Sequence, residues 1–347
     1  MTSDPVSRYL SERGARFDRK NRLRIMNSSE VLDTALRIYQ RLGLTFLRLT
    51  AAPALLCLAS IGFIQCFVLP ELFLTNANAS GGQMIEDVSG ALATGIFVGG
   101  PLFLLGLAYS STMVVSLVSD YMIGATPDPD AAASAARSML PRLFLVNLKE
   151  FCLATSGIVV SACWMAFGGY LTSVTRQTDA VAGVVAGTGL IGLAGGGLLF
   201  LYVIARDALA APVAVLEDAG PRIASKRSRE LIRKQAYHPV GTGTIWSLYL
   251  LLAFIAAVLM SGTWLFAQIL SLTDRLSALL SFLPAEQVFI RAFELIPTFL
   301  VIWTLTPVWA TVITIVYYER KIRLEGFDID LLASEITRSN RALGAER

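Results

Sequence analysis

Charge is what this sequence has least of. Asp, Glu, Lys and Arg make up 16% of its 347 residues, against roughly 25% in an ordinary soluble domain. Histidine is nearly missing: His238 is the single one, so neither a histidine-based zinc site nor a Ser-His triad can be assembled. Cysteine is scarce as well. Cys57, Cys66, Cys152 and Cys163 all lie inside apolar runs, where a thiol behaves as a small hydrophobe, so neither a disulfide framework nor a metal site is expected. There is no GxxxxGK[ST] phosphate loop, and Gly195-Gly196-Gly197 sits within an apolar stretch without phosphate-binding context. These absences remove the common hydrolytic and nucleotide-dependent chemistries. No catalytic residue, cofactor-binding residue or metal ligand is nominated, and a non-enzymatic role without a cofactor is the expectation.

What is present is apolar surface. Hydrophobic residues make up 54% of the chain, and they are segmented into runs of more than twenty residues, the length that crosses about 30 Å of hydrocarbon as a helix. Six spans are expected, at 49–69, 91–118, 151–173, 180–205, 245–271 and 292–318. In lipid each backbone amide must be paired within the protein, and the runs are far too long for barrel strands, so the spans are helices. The first 44 residues are polar and Arg-rich, which argues against a cleavable signal peptide.

The distribution of Lys and Arg orients the chain, because these residues resist translocation. Residues 1–48 hold ten, 119–150 three, 206–244 seven and 319–347 six, whereas the opposite side receives only Arg176, Arg275 and Arg291. Both termini and the two longer loops are therefore expected in the cytoplasm, an arrangement that an even number of crossings permits. The net charge of +3 is too small to suggest nucleic acid.

The expected fold is an all-α, polytopic transmembrane bundle of about six spans, arranged as three hairpins. Each hairpin is preceded by a cytoplasmic amphipathic helix, starting near Asn27, Asp130 and Pro221. Three regions follow: a basic N-terminal segment with its amphipathic helix at 1–44, the six-helix domain at 45–318 and a cytoplasmic tail at 319–347. In the first entry helix, Asn27 and Glu30 match a capping box, and Leu32, Ala35, Leu36, Tyr39 and Leu42 form one apolar face. Such helices are expected to lie in the interface, their cations beside anionic lipid headgroups.

Glycines four apart, Gly95 with Gly99, Gly183 with Gly187, and Gly192 with Gly196, clear one helix stripe for close backbone approach, within the chain or between copies. Polar groups at membrane depth are few. Glu294 near the outer end of the sixth span is the candidate intramembrane polar site, and Asn147, Lys149 and Glu150 lie at the inner start of the third. Pro53, Pro101, Pro297 and Pro307 fall within spans, where each removes a backbone donor.

The most specific stretch closes the last span. It reads Thr306-Pro307-Val308-Trp309 and then Tyr317-Tyr318-Glu319-Arg320-Lys321-Ile322-Arg323-Leu324-Glu325-Gly326-Phe327-Asp328-Ile329-Asp330. This resembles the closing signature of bacterial membrane proteins related to the glycerophosphoryl diester phosphodiesterase membrane domain. Val31-Leu32-Asp33 through Arg37 and Tyr39, and Ala224 to Ile232 with Lys226-Arg227-Ser228, are similar to that group's opening helix and internal segment. The resemblance implies a membrane module of the bacterial inner membrane, with the phosphodiesterase of relatives being a separate soluble domain.

Physically, Tyr317 and Tyr318 would anchor at the headgroups, the basic residues would hold the end inside, and Gly326 would permit a turn. Residues expected to contact a partner or headgroups are Lys226, Arg227, Arg229, Arg233 and Lys234, then Tyr317, Tyr318, Arg320, Lys321, Arg323, Glu325, Gly326, Phe327 and Asp328. The function expected is that of a membrane scaffold, anchor or regulatory subunit, with a protein partner or a second copy of the chain and an anionic bilayer as its contacts. The alternative is a transporter or channel for a small solute or lipid, built around Glu294 and the proline-interrupted second and sixth spans.

Overall fold

Asn27 starts the first helix as its sequence suggests: its backbone N–H donates to the Glu30 carboxylate at 2.9 Å, the reciprocal half of a capping box. Helix α1 then runs from Ser28–Phe63 without a break. At 1.5 Å per residue its 36 residues extend about 54 Å, well beyond a hydrocarbon layer of about 30 Å. The entry helix and the first span are thus one element. The same holds for α3, Pro129–Thr175, whose 47 residues include Pro141 in mid-helix. Asp128 caps it by accepting from the N–H of Asp130 at 2.9 Å. The third entry helix is described from Pro221–Arg233, and the apolar helix after it from Thr242–Ile269.

The computed structural model describes residues 26–63, 98–175, 179–233, 242–269 and 295–326. Among these residues the fold is all-α. Besides α1 and α3 it comprises α2 (Gly100–Ile123), α4 (Asp179–Arg206), α5 (Ala210–Leu216), α6 (Pro221–Arg233), α7 (Thr242–Ile269) and α8 (Ile296–Glu325). Among the described residues five stretches are long and apolar enough to cross a membrane: Ser29–Phe63, Gly100–Ile123, Pro129–Ser161, Gly187–Leu216 and Ile296–Glu325. Within α7 the shorter apolar stretch Ser247–Gly262 is described.

Side-chain contacts fix the packing. Helices α1 and α2 run antiparallel, with Ser60 donating to the Gly99 carbonyl at 2.6 Å and the Cys57 thiol to that of Phe103 at 3.5 Å. Gly106 is required there, since a Cβ would lie 2.6 Å from both the Pro53 carbonyl oxygen and the Cys57 sulfur. Helices α3 and α4 also run antiparallel. The backbones of Gly157 and Gly196 touch, Ser161 fills the space over Gly192, and Trp164 Nε1 donates to Thr188 at 3.0 Å. Helix α8 reaches α1 through Trp303 Nε1 and the Leu47 carbonyl at 2.8 Å, and it reaches α7 through Trp309 and Tyr249, with ring centroids 4.1 Å apart.

The core lies toward one end of the bundle. Ile38 and Phe46 of α1, Leu117 of α2, Leu143 of α3 and Ile315 of α8 are fully buried there, together with Ala210 and Val213 of α5. The other halves of α3, α4 and α7 present large apolar side chains outward, among them Val160, Ile191, Leu198, Leu250 and Phe254, each more than half exposed. A continuous apolar surface of this kind belongs against hydrocarbon.

Two expectations need correction here. The apolar face of the first entry helix is rotated from the one its spacing suggests: Val31, Ala35 and Ile38 are buried, while Leu36 is exposed. The segment after the fourth span, expected as a loop leading to the third entry helix, is not simply a loop. It turns back at Asp207 and enters the core as α5, whose Ala210, Val213 and Ala214 are almost wholly shielded.

Candidate functional site

The end of the bundle that holds the core also gathers the charges. Helix α4 stops at Arg206, and the next residue, Asp207, turns the chain inward toward α5. The Asp207 side chain is 1% exposed. A carboxylate so buried needs several donors, and it receives them from Arg229 Nε at 2.9 Å, Arg229 Nη2 at 3.3 Å and Arg206 Nη2 at 3.1 Å. Hydrogen bonding to Asp207 holds the Arg229 guanidinium above its ordinary pKa. Arg206 also lies 5.6 Å from the ring centre of Tyr202, one turn back on α4. The fully buried Ser228 completes the corner, its hydroxyl accepting from the N–H of Leu209 at 3.2 Å. The sequence pattern of α6 makes this possible, since Ala224, Ser225, Ser228 and Leu231 form its buried face.

Lys149 approaches α6 from α3, its ammonium donating to the Ser225 hydroxyl at 3.0 Å. Ser225 in turn donates to the Pro221 carbonyl at 3.0 Å. Glu150 sits beside this group, within electrostatic reach of Asp207, Lys149, Arg229 and Arg206. Its Oε1 is buried and accepts no hydrogen bond from the described residues.

A second network ties α5 and α6 to α8. Glu217, just past α5, accepts from the Tyr317 hydroxyl at 2.8 Å and from Lys321 Nζ at 3.2 Å, and Arg227 Nε lies 3.4 Å from its other oxygen. Arg227 also pairs with Glu325. Burial pushes the Glu217 carboxyl up, but the Tyr317 hydrogen bond and the charges of Lys321 and Arg227 outweigh it and hold the group below its usual value. Arg227 is raised: burial opposes its charge, and Glu325 and Glu217 more than offset that. Nearby, Tyr318 and Ser119 share a 2.6 Å hydrogen bond between α8 and α2, and Arg323 Nε donates to Glu319 at 2.7 Å.

No family model, curated protein or solved structure matches this chain.

Of the residues singled out from sequence, Lys226 and Arg233 are exposed on α6, while Arg227, Arg229, Lys321, Arg323 and Glu325 are engaged in the ion pairs above. Gly326 closes α8 in the left-handed region at φ 63°, where a side chain is strained. Tyr317, Tyr318 and Arg320 are the correction. They are 1%, 4% and 2% exposed, so they brace the interior instead of meeting headgroups, because Glu217 and Ser119 offer the tyrosine hydroxyls buried partners.

Among the glycines, Gly192 and Gly196 make the close α3 contact, Gly187 faces open space, and Gly99 receives the Ser60 hydrogen bond. Gly183 lies within α4. Gly95, Lys234, Glu294, Phe327 and Asp328 lie outside the described residues. Sequence reasoning passed over Asp207 and Glu217. For Asp207 the available signal was an Arg206-Asp207 pair standing between two apolar runs, 180–205 and 208–216.

Proposed function

We propose that the chain is a non-enzymatic integral membrane scaffold or anchor. In this reading it is a six-span module of a bacterial inner membrane, built as three hairpins, with both termini and the charged end of the bundle in the cytoplasm. The observation that carries the reading is the construction of that end. Buried Asp207 and half-buried Glu217 lock α4, α5, α6 and α8 together through Arg206, Arg229, Arg227, Tyr317 and Lys321. The result is a rigid surface from which the cations Arg222, Lys226 and Arg233 project. A pre-organised, solvent-facing surface on a membrane-fixed body is what docking requires. The 26-to-3 division of Lys and Arg along the sequence supports the orientation, and the similarity of the closing motif to the phosphodiesterase membrane domain supports a membrane module.

The test is purification from native membrane under gentle extraction, with every co-purifying chain identified. A stoichiometric partner, or a defined homo-oligomer, is the expected result. A monomer without partners, or a hydrated path reaching the midplane past Glu294, would overturn the proposal.

A further inference from the structure

The strongest feature beyond docking is the meeting of three helices at Asp207. Lys149 closes an apolar stretch on α3, Arg206 closes one on α4, and α6 lies across both through Ser225 and Arg229. Ser225 and Arg229 are one turn apart on α6, about 6 Å of helix rise, and Lys149, Arg206 and Arg229 all act electrostatically on Glu150. Lys226, exposed beside Ser225, adds a fourth cation. Against these stand the carboxylates of Asp207 and Glu150. Asp207 is already occupied by two arginines. The cluster keeps an excess of positive charge, and Lys149 and Lys226 are exposed residues.

Its depth is equally informative. Lys149 lies just before the third expected span, 151–173, and Arg206 just after the fourth, 180–205, which places both at the headgroup layer. On the hydrocarbon side of the cations, α4 exposes Ile191, Leu198 and Tyr202 along a single stripe at 74%, 69% and 54%, and α3 exposes Leu153 at 41% and Val160 at 68%. Tyr202 is stacked under the Arg206 guanidinium. Cations above, an aromatic at the boundary and apolar stripes below match the three chemical zones of a phospholipid.

We infer that the α3–α4–α6 junction is a binding site for an anionic phospholipid. Its phosphate is held by Lys149, Arg206 and Lys226, with Arg229 holding the corner in place, and an acyl chain lies along the Ile191–Leu198–Tyr202 stripe. The inference rests on the reading of the chain as a membrane module with this end at the cytoplasmic surface, but it does not require a protein partner.

The experiment uses the full-length protein reconstituted in vesicles of equimolar phosphatidylglycerol and phosphatidylcholine, gently re-extracted, with retained lipids counted by native mass spectrometry. Retention of phosphatidylglycerol about twenty-fivefold over phosphatidylcholine is expected, since each surface cation contributes roughly a fivefold factor at an anionic membrane. It should fall to near parity in K149Q/K226Q, which removes two of the cations. R176Q/R275Q, which removes two of the cations expected on the opposite side of the membrane, should leave it unchanged. If K149Q/K226Q does not fold, K226Q alone, at an exposed position, should lower retention about fivefold.

Equal retention of the two lipids, or identical behaviour of all variants, would overturn the site. Displacement of the lipid by millimolar glycerol phosphate would show that a free phosphate suffices and overturn the lipid assignment. Loss of an acidic co-purifying protein in K149Q/K226Q, without lipid enrichment in the wild type, would assign the surface to a protein instead. A partnerless protein that keeps its phosphatidylglycerol sinks the scaffold proposal and leaves this one standing.

Discussion

Arg229 grips Asp207 with two nitrogens, Nε on Oδ1 at 2.9 Å and Nη2 on Oδ2 at 3.3 Å, across twenty-two residues of chain. This pairing lets the backbone after α4 turn inward instead of continuing into solvent, and the rest of the charged end is arranged around it.

Removing the acid should therefore cost more than removing the base. Asp207→Asn leaves Arg206 and Arg229 without their counter-charge and is expected to lower stability by about 3 kcal/mol, at the low end for a broken buried pair because Arg229 is 40% exposed. Arg229→Gln leaves Asp207 with Arg206 and should cost less. Thermal unfolding of the two variants in the same detergent checks the order.

Ser228→Ala tests the corner itself. The N–H of Leu209 loses its acceptor in a fully buried position, which should cost about 1–2 kcal/mol. Hydrogen exchange at 207–211 should quicken while exchange in α2 stays unchanged.

Apolar helices long enough to cross a membrane were legible in the sequence because hydropathy acts over twenty residues at a time, and the close approach at Gly192 and Gly196 was legible because helical geometry fixes which side chains share a stripe. Helix ends were not. The entry helices at Asn27 and Asp130 end in the sequence where polarity changes, whereas the backbone sees no breaker there and continues to Phe63 and Thr175. Neither Pro53 nor Pro141 ends its helix. Helix α5 was hidden because Ala210–Leu216 is seven residues long with Pro212 inside, too short to carry a period. The burial of Asp207, Tyr317 and Tyr318 depends on Arg229, Glu217 and Ser119, partners from 22 to 199 residues away, and local pattern carries no such pairing.

The glycines of α4 should separate by position, not by motif. Gly196→Ala would place a Cβ 2.7 Å from the Gly157 and Ile158 backbone, and forcing α3 and α4 apart is expected to cost about 1–3 kcal/mol. Gly187→Ala and Gly197→Ala meet nothing within 4 Å, so each should be neutral or stabilise the helix by up to about 1 kcal/mol. Melting temperatures of the three variants decide this.

Acid should loosen the α5–α8 contact. Because Glu217 is held below its ordinary value of 4.5, the stability it contributes is present above that value and is lost as pH falls through the lower folded one. Tyr317→Phe removes a hydrogen bond that lowers the group. The variant should lose about 1.5 kcal/mol near neutrality, and its acid transition should move to higher pH, as a pH series of unfolding curves would register.

The proposed chain crosses the membrane six times with its charged end facing the cytoplasm. In a background lacking Cys57, Cys66, Cys152 and Cys163, single cysteines at Lys226, Arg176 and Arg275 can be labelled in intact cells with a membrane-impermeant maleimide. Labelling at 176 and 275 from outside, and at 226 only after the cells are opened, is expected. Labelling of 226 in intact cells, or protection of both 176 and 275, would contradict this topology.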